Sequence, residues 1–222
     1  MSSVDKISSL EDHIIEEIEA NLTAVASVLG WGTHPEKSVK PYTAYASSAI
    51  TTGNRMYSLF KEYLVANVSD LNKINPELFK SSILRANLDA GEEFGAIVRQ
   101  SDRYDTVIVP ATFFAKGWAQ EHYMAFWEEV IKRFADAINF NDGWEYSNGC
   151  VDELRIGLEN GKDLFEGLSV VQMNPKAGLE KVRRAIEEVS NIGADVKSLY
   201  NSYRRAHLIV FGDSKQNTAK LI

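Results

Sequence analysis

Thr106-Val-Ile-Val-Pro110, then Tyr123-Met-Ala-Phe-Trp-Glu-Glu-Val-Ile-Lys-Arg-Phe134, then Ala137-Ile-Asn-Phe140: these three stretches decide the fold. The first is a compact apolar run ending at a proline, which reads as a short buried strand. In the second, Tyr123, Phe126, Trp127, Val130, Ile131 and Phe134 keep helical spacing through successive turns, so one face of a helix meets a core. The third is another short apolar run and reads as a strand. Strand, helix, strand in this order requires a crossover between parallel strands.

The same alternation extends in both directions. Upstream, Tyr42-Thr-Ala-Tyr-Ala-Ser-Ser-Ala-Ile50 reads as the first strand, Thr51-Thr-Gly-Asn54 as a loop, and Met56, Leu59, Phe60 and Leu64 as a helix stripe. A polar stretch over 69–75 separates it from a helix over 76–100. Downstream, Val151 to Asn160 reads as a short helix ended by Gly161, and 163–167 as a fourth strand. A long helix is expected from Pro175, with Leu179, Val182, Ile186, Val189, Ile192, Val196, Leu199 and Tyr203 along one stripe. His207-Leu-Ile-Val-Phe211 reads as a last strand or packed tail. Before all of these, Leu10, Ile14, Ile15, Ile18, Leu22, Val25 and Leu29 form an amphipathic helix, and Gly30, Gly32 and Pro35 a loop.

The expected class is therefore α/β: a Rossmann-like (flavodoxin-like), mostly parallel sheet of four or five strands with helices on both faces. Residues 1–35 are an N-terminal helical extension and 36–172 the α/β core. Residues 173–222 add a C-terminal helix and tail, within the same domain or at an oligomer interface. No internal repeat or low-complexity tract interrupts this order.

Composition narrows the partners. The 222 residues suit one decorated domain more easily than two small ones, and 45% hydrophobic content is that of a globular chain. Basic residues number 24 against 31 acidic ones, a net charge of −7, which gives no general attraction to nucleic acid or anionic membranes. The single cysteine, Cys150, cannot pair within the chain. The start, Met1-Ser-Ser-Val-Asp5, is polar and charged, so no signal peptide is expected, and no apolar run is long enough for a bilayer. A cytoplasmic protein is expected. His13, His34, His122 and His207 have no ligand spacing, so neither a metal nor another cofactor is expected.

Sites in such sheets form at the carboxyl ends of the strands, and three loops there are chemically distinctive. Ser47-Ser-Ala-Ile-Thr-Thr-Gly-Asn-Arg55 offers hydroxyls, a glycine and an arginine ahead of a helix, which suits a phosphate or sugar; Ser47, Thr52, Gly53 and Arg55 are its candidates. The plain alternative is a strand-to-helix turn that uses these residues as caps. Between Pro110 and Tyr123, Phe113, Phe114 and Trp118 can stack on a nucleobase, and His122 can hydrogen-bond a substrate; alternatively the aromatics are core and His122 a helix-start residue with a local partner. The third loop, Asp142-Gly-Trp-Glu-Tyr-Ser-Asn-Gly-Cys-Val-Asp-Glu153, ends with Glu153 in the first turn of a helix. Val151, Leu154 and Leu158 would anchor that helix and turn Glu153 to the rim, where a carboxylate can attack an electron-poor sugar carbon. Asp142 or Glu145 would protonate or orient the leaving base. Helix-dipole preference alone also places acids in first turns.

Gly143-Trp-Glu-Tyr-Ser-Asn-Gly-Cys-Val-Asp-Glu153, continuing to Gly161-Lys162, resembles the catalytic segment of the nucleoside 2-deoxyribosyltransferase superfamily, closest to its phage and bacterial members. The shared pattern is a tryptophan, serine-x-glycine, and a glutamate four residues past the glycine: Trp144, Ser147, Gly149 and Glu153. The resemblance covers roughly 42–165. It implies that Glu153 is a nucleophile, with Ser147 standing where the deoxynucleoside monophosphate N-hydrolases bind a 5′-phosphate, and Gly149 part of the same turn. It further implies a nucleotide or nucleoside substrate, with Tyr45, Trp144 or Trp118 stacking on the base, and a homo-oligomer of at least two subunits. Cys150 occupies a position that is often alanine or threonine in that family. The chain departs from the pattern at Ala46-Ser-Ser-Ala49, often alanine-glycine-proline in the family, and at Asp152 and Arg155. The alternatives are a non-catalytic sensor of a nucleotide-like ligand, or an oligomeric binding protein, on the same fold.

Overall fold

The computed structural model describes residues 10–29 and 41–212. The loop expected at Gly30, Gly32 and Pro35, the boundary at residue 35, the first nine residues and the tail beyond Gly212 lie outside the described residues. Among those described, four strands form one parallel sheet in the order β2-β1-β3-β4. The strands are β1 (Thr43–Ser47), β2 (Thr106–Ile108), β3 (Ala137–Phe140) and β4 (Asp163–Glu166). Tyr45 pairs with Ile108 on one side and with Ile138 on the other, and Ile138 pairs with Leu164. This is an α/β, Rossmann-like fold with helical extensions.

The pairing fixes the faces, because side chains alternate along a strand. Tyr45, Ile138 and Leu164 share one face, and they join Phe126, Val130 and Ile131 of α5 (Gln120–Phe134) and Val151 and Leu154 of α6 (Asn148–Glu159) in the main core. Gly157 lets α6 lie close to the sheet: a Cβ there would come within 2.7 Å of Leu164 and 2.8 Å of Ile138. Ala44 and Ala46 face the other way, towards Phe94 and Val98 of α4 (Ala86–Arg99). Here too glycine sets the approach, since a Cβ on Gly95 would sit 2.4 Å from Val109.

Both terminal extensions belong to the main core. Ile14, Ile18 and Leu22 of α1 (Asp12–Val28) are buried in it, as are Leu179, Val182 and Ile186 of α7 (Pro175–Asn191) and Leu199, Tyr203 and Ala206 of α8 (Lys197–Phe211). A smaller cluster lies around Met56, Tyr57 and Phe60 of α2 (Asn54–Tyr63).

Five expectations are corrected. The long C-terminal helix is two helices, because Gly193 adopts φ +75°, a left-handed value that ends α7, and Asp195 Oδ1 then accepts from Lys197 N at 2.8 Å to start α8. The apolar stripe runs through both because both pack on the same core. His207 to Phe211 is accordingly the last turn of α8 and not a strand. The polar stretch after residue 68 holds a helix, α3 (Val68–Ile74), capped by Asn67 accepting from Asp70 N and anchored by the fully buried Leu71. Finally, β1 stops at Ser47, short of Ile50, and α6 begins at Asn148, before Val151. Among the described residues no helix is long and apolar enough to cross a membrane.

Candidate functional site

In the strand order β2-β1-β3-β4, neighbouring connections leave β1 and β3 in opposite directions, so their loops diverge and open a crevice beyond the carboxyl ends. The loop after β1 (48–53) and the loop after β3 (141–147) bound that crevice. A small cleft there is lined by Ala49, Asn54, Arg55, Asn87, Asn141, Asp142 and Gly143, among others.

Glu153 does not line that cleft; it lies at the carboxyl end of β1, against Ser47. Because α6 starts at Asn148, Glu153 lies in the second turn and not the first, so the helix-dipole preference for first-turn acids does not account for it. Its side chain turns towards β1. Tyr45 Oη donates to Glu153 Oε1 at 2.6 Å, and Ser47 Oγ donates to Oε2 at 2.5 Å. Tyr45 and Ser47, two residues apart on one strand, project from the same face, so a single strand presents both hydroxyls to both carboxylate oxygens. Both residues are buried, and Tyr45 is held edge-on against Trp127.

The environment opposes the charge that these hydroxyls stabilise. The Glu153 carboxyl is raised from 4.5 to about 7: burial pushes it up most, the bonds from Ser47 and Tyr45 pull it down, and the nearby Asp152 charge pushes it up. Burial, with the Glu153 charge beside it, also lifts the Tyr45 hydroxyl well above its ordinary range. Cys150, buried one turn before Glu153, is pushed up to about 12, chiefly by burial and then by Glu153. It is therefore a neutral thiol, consistent with filling space and not with attack.

Thr52 joins the two loops. Its hydroxyl donates to Ser147 Oγ at 3.3 Å and accepts from Asn148 N at 3.3 Å. Ser147 is buried and caps α6 by accepting from Cys150 N at 3.4 Å. Gly53 adopts φ +119°, and a Cβ there would meet that of Ala49 at 2.8 Å, so the turn into α2 requires glycine. Gly149, in the first turn of α6, lies beside Ser147. Arg55 is exposed at the cleft, with Nη1 donating to Asn87 Oδ1 at 3.1 Å. Asn87 Nδ2 donates to the carbonyls of Ile50 (2.9 Å) and Thr52 (3.3 Å). Asn87 fixes the loop after β1 from α4, and sequence reading missed it: its one signal is a polar residue at a buried helical position.

Other expected residues are placed elsewhere. Trp144 is buried, packs on Phe140 at 4.8 Å between ring centres and donates from Nε1 to Glu166 Oε1 at 3.3 Å, so it is core and not a base platform. Tyr45 is likewise enclosed, and holds Glu153 instead of a base. Trp118 is half-buried in an aromatic cluster with Phe113, Tyr123 and Phe126. His122 accepts at Nδ1 from Ala119 N at 3.1 Å, which makes it the helix-start residue of α5 with a local partner. Phe114, from the same loop, is 81% exposed. Asp142 is exposed at the cleft rim, whereas Glu145 is half-buried and its carboxyl is raised, mainly by burial. Among the described residues no three His, Cys, Asp or Glu side chains converge as metal ligands do.

Compared with family models, curated proteins and solved structures, the chain matches none.

Proposed function

We propose that the chain cleaves or exchanges the N-glycosidic bond of a nucleotide or nucleoside, with Glu153 as nucleophile. The observation that carries this reading is the Glu153 carboxylate, partly desolvated at the carboxyl end of β1 and held through both oxygens by Tyr45 and Ser47. A carboxylate pre-oriented in this way needs no reorganisation before attack. The resemblance of Gly143 to Glu153 to the deoxyribosyltransferase segment supports the same residue in the same role.

In this mechanism a Glu153 oxygen bonds to the anomeric carbon as the carbon–nitrogen bond breaks, and the base leaves with the bonding electron pair. Glu145 or Asp142, both on the loop after β3, protonates the departing base; Glu145 is half-buried and its carboxyl is raised, mainly by burial. Water then gives a proton to the carboxylate that protonated the base and attacks the anomeric carbon as the carbon–oxygen bond to Glu153 breaks, which gives hydrolysis; a second base in place of water gives transfer. Arg55, beside the uncapped start of α2, supplies the positive charge for a substrate phosphate. Ser147 supports the site by capping α6. Two further proposals are a cytosolic location, which rests on composition, and at least a dimer, which rests on the resemblance and is open to a mass measurement in solution.

The test is release of free base from a panel of nucleoside monophosphates and nucleosides. Wild type should release base from at least one compound and Glu153→Gln should release at least a thousandfold less. Equal background release by both proteins overturns the reading, and thermal stabilisation by a compound without release would point to a binding protein.

A further inference from the structure

Asp152 and Arg155 depart from the resembled pattern, and the terminal helices have no counterpart in it; in the structure these features meet. Asp152, next to Glu153 in α6, is fully buried. Its Oδ1 accepts from Arg155 Nε at 2.9 Å and lies 2.9 Å from Nη2 of Arg205, which comes from α8. Arg155 also reaches Glu159 on its own helix and Glu128 of α5, the latter at 3.4 Å. Glu128 pairs with Lys132 at 2.9 Å, Lys132 lies 3.4 Å from Glu129, and Glu129 pairs with Arg133 at 2.9 Å. Arg133 then reaches Glu19 of α1 at 3.1 Å. A chain of ionic contacts thus runs from α1 through α5 and α6 to α8, passing through the residue beside Glu153.

Burying Glu128, Asp152 and Arg155 costs desolvation that apolar side chains of similar volume would avoid. What such a cluster supplies is register. Apolar contacts let a helix slide or rotate at small cost, whereas a buried charge must meet its partner at one place. Glu153 meets Tyr45 and Ser47 only if α6 keeps its rotation, and a displacement of about 1 Å is enough to spoil a reacting geometry.

We propose that Arg205 is a positioning residue for Glu153: by clamping Asp152 from α8, it fixes the rotation of α6 and so holds the Glu153 carboxylate against Tyr45 and Ser47. The C-terminal helix thereby becomes a working part of the site. The effect on turnover rests on the function proposed above; the effect on the carboxylate does not.

The groups facing Glu153 are Tyr45 and Ser47 from β1, with Cys150 and Asp152 from α6, and the charge of Asp152 is balanced by Arg155 and Arg205. Without Arg205 the Asp152 charge is less compensated and the Tyr45 and Ser47 contacts loosen. Both changes favour the protonated form of Glu153.

The experiment titrates the Glu153 carboxyl by carbon NMR in the full chain labelled at glutamate, with Glu153→Gln identifying its signal. Arg205→Ala should raise the midpoint by about 0.5 pH unit or more, and Arg205→Lys should restore it to within about 0.2 unit. Leu208→Ala, on the same helix, should leave the midpoint in place even where it lowers Tm. An unchanged midpoint in folded Arg205→Ala, or an equal shift in Leu208→Ala, overturns the proposal. Should Arg205→Ala fail to fold, Arg205→Gln is judged by the same criterion. Where wild type turns over a nucleotide, Arg205→Ala should lower kcat about tenfold with KM nearly unchanged. Absence of turnover in wild type rejects the N-glycosidic reading, while the titration still decides the role of Arg205.

Discussion

Tyr45 Oη lies 2.6 Å from Glu153 Oε1, although 108 residues separate the two in sequence. The parallel pairing of β1 with β3 and the packing of α6 on the face that carries Tyr45 bring them together. A phenol donating to a buried carboxylate stabilises its charged form, and this bond is the simplest handle on the site.

Tyr45→Phe keeps the ring against Trp127 and removes only that donor. A hydrogen bond to a charged group contributes about 1.5–3 kcal/mol, so the Glu153 midpoint should rise by about 1–2 pH units from its value near 7. If ionised Glu153 is the nucleophile, the alkaline-rising limb of kcat/KM should move up by the same amount. A pH–rate profile beside the NMR titration checks both, and a limb that stays fixed while the carboxyl midpoint moves would dissociate Glu153 from the reaction.

The same carboxyl makes stability depend on pH with a definite sign. Its folded value, about 7, exceeds the unfolded 4.5, so the folded state binds the proton more tightly. Stability is therefore greatest below about 4.5 as far as this group is concerned, and falls as pH rises towards 7. With Glu153 partly open to solvent, the loss is about 1–3 kcal/mol. Glu153→Gln removes it, so at pH 8 this variant should melt several degrees above wild type, and the advantage should vanish near pH 4. Melting curves at the two pH values decide the matter; an offset that is the same at both would mean that Glu153 is not held as a strained charge.

Gly95→Ala tests the opposite sheet face. The added methyl would stand 2.4 Å from Val109 Cγ2 and 3.1 Å from its Cβ, so α4 must move off the sheet. Better helix propensity offsets about 1 kcal/mol, and the net destabilisation should still be about 1–3 kcal/mol in denaturant unfolding. No loss of stability would show that α4 does not approach β2 this closely.

The parts of the fold legible in the sequence were those written as local periodicity. The α5 stripe from Tyr123 to Phe134 and the apolar runs at Thr106 and Ala137 specify a helix and two buried strands without reference to anything distant. The break at Gly193 is hidden by the stripe from Leu179 to Tyr203, because two helices packed on one core share an apolar pattern. At the site, Glu153, Tyr45 and Ser47 were each visible as candidates, yet their mutual contact was not. Strand register decides it, and no local pattern records which face of β1 will meet α6. For the same reason Trp144 reads in the sequence as a platform for a base, whereas it is buried against Phe140 and bonded to Glu166. Asn87 and Arg205 left no motif at all, since each acts on a loop or helix far from it in sequence.

Covalent trapping tests the central claim most directly. Wild type, incubated with the nucleoside monophosphate it turns over fastest and quenched in acid, should carry one added sugar phosphate by intact mass. Peptide mapping should place that mass on Glu153, and Glu153→Gln should carry none. Base release at equal rates by wild type and Glu153→Gln, or a sugar adduct mapped to another residue, would contradict the assignment of Glu153 as the nucleophile.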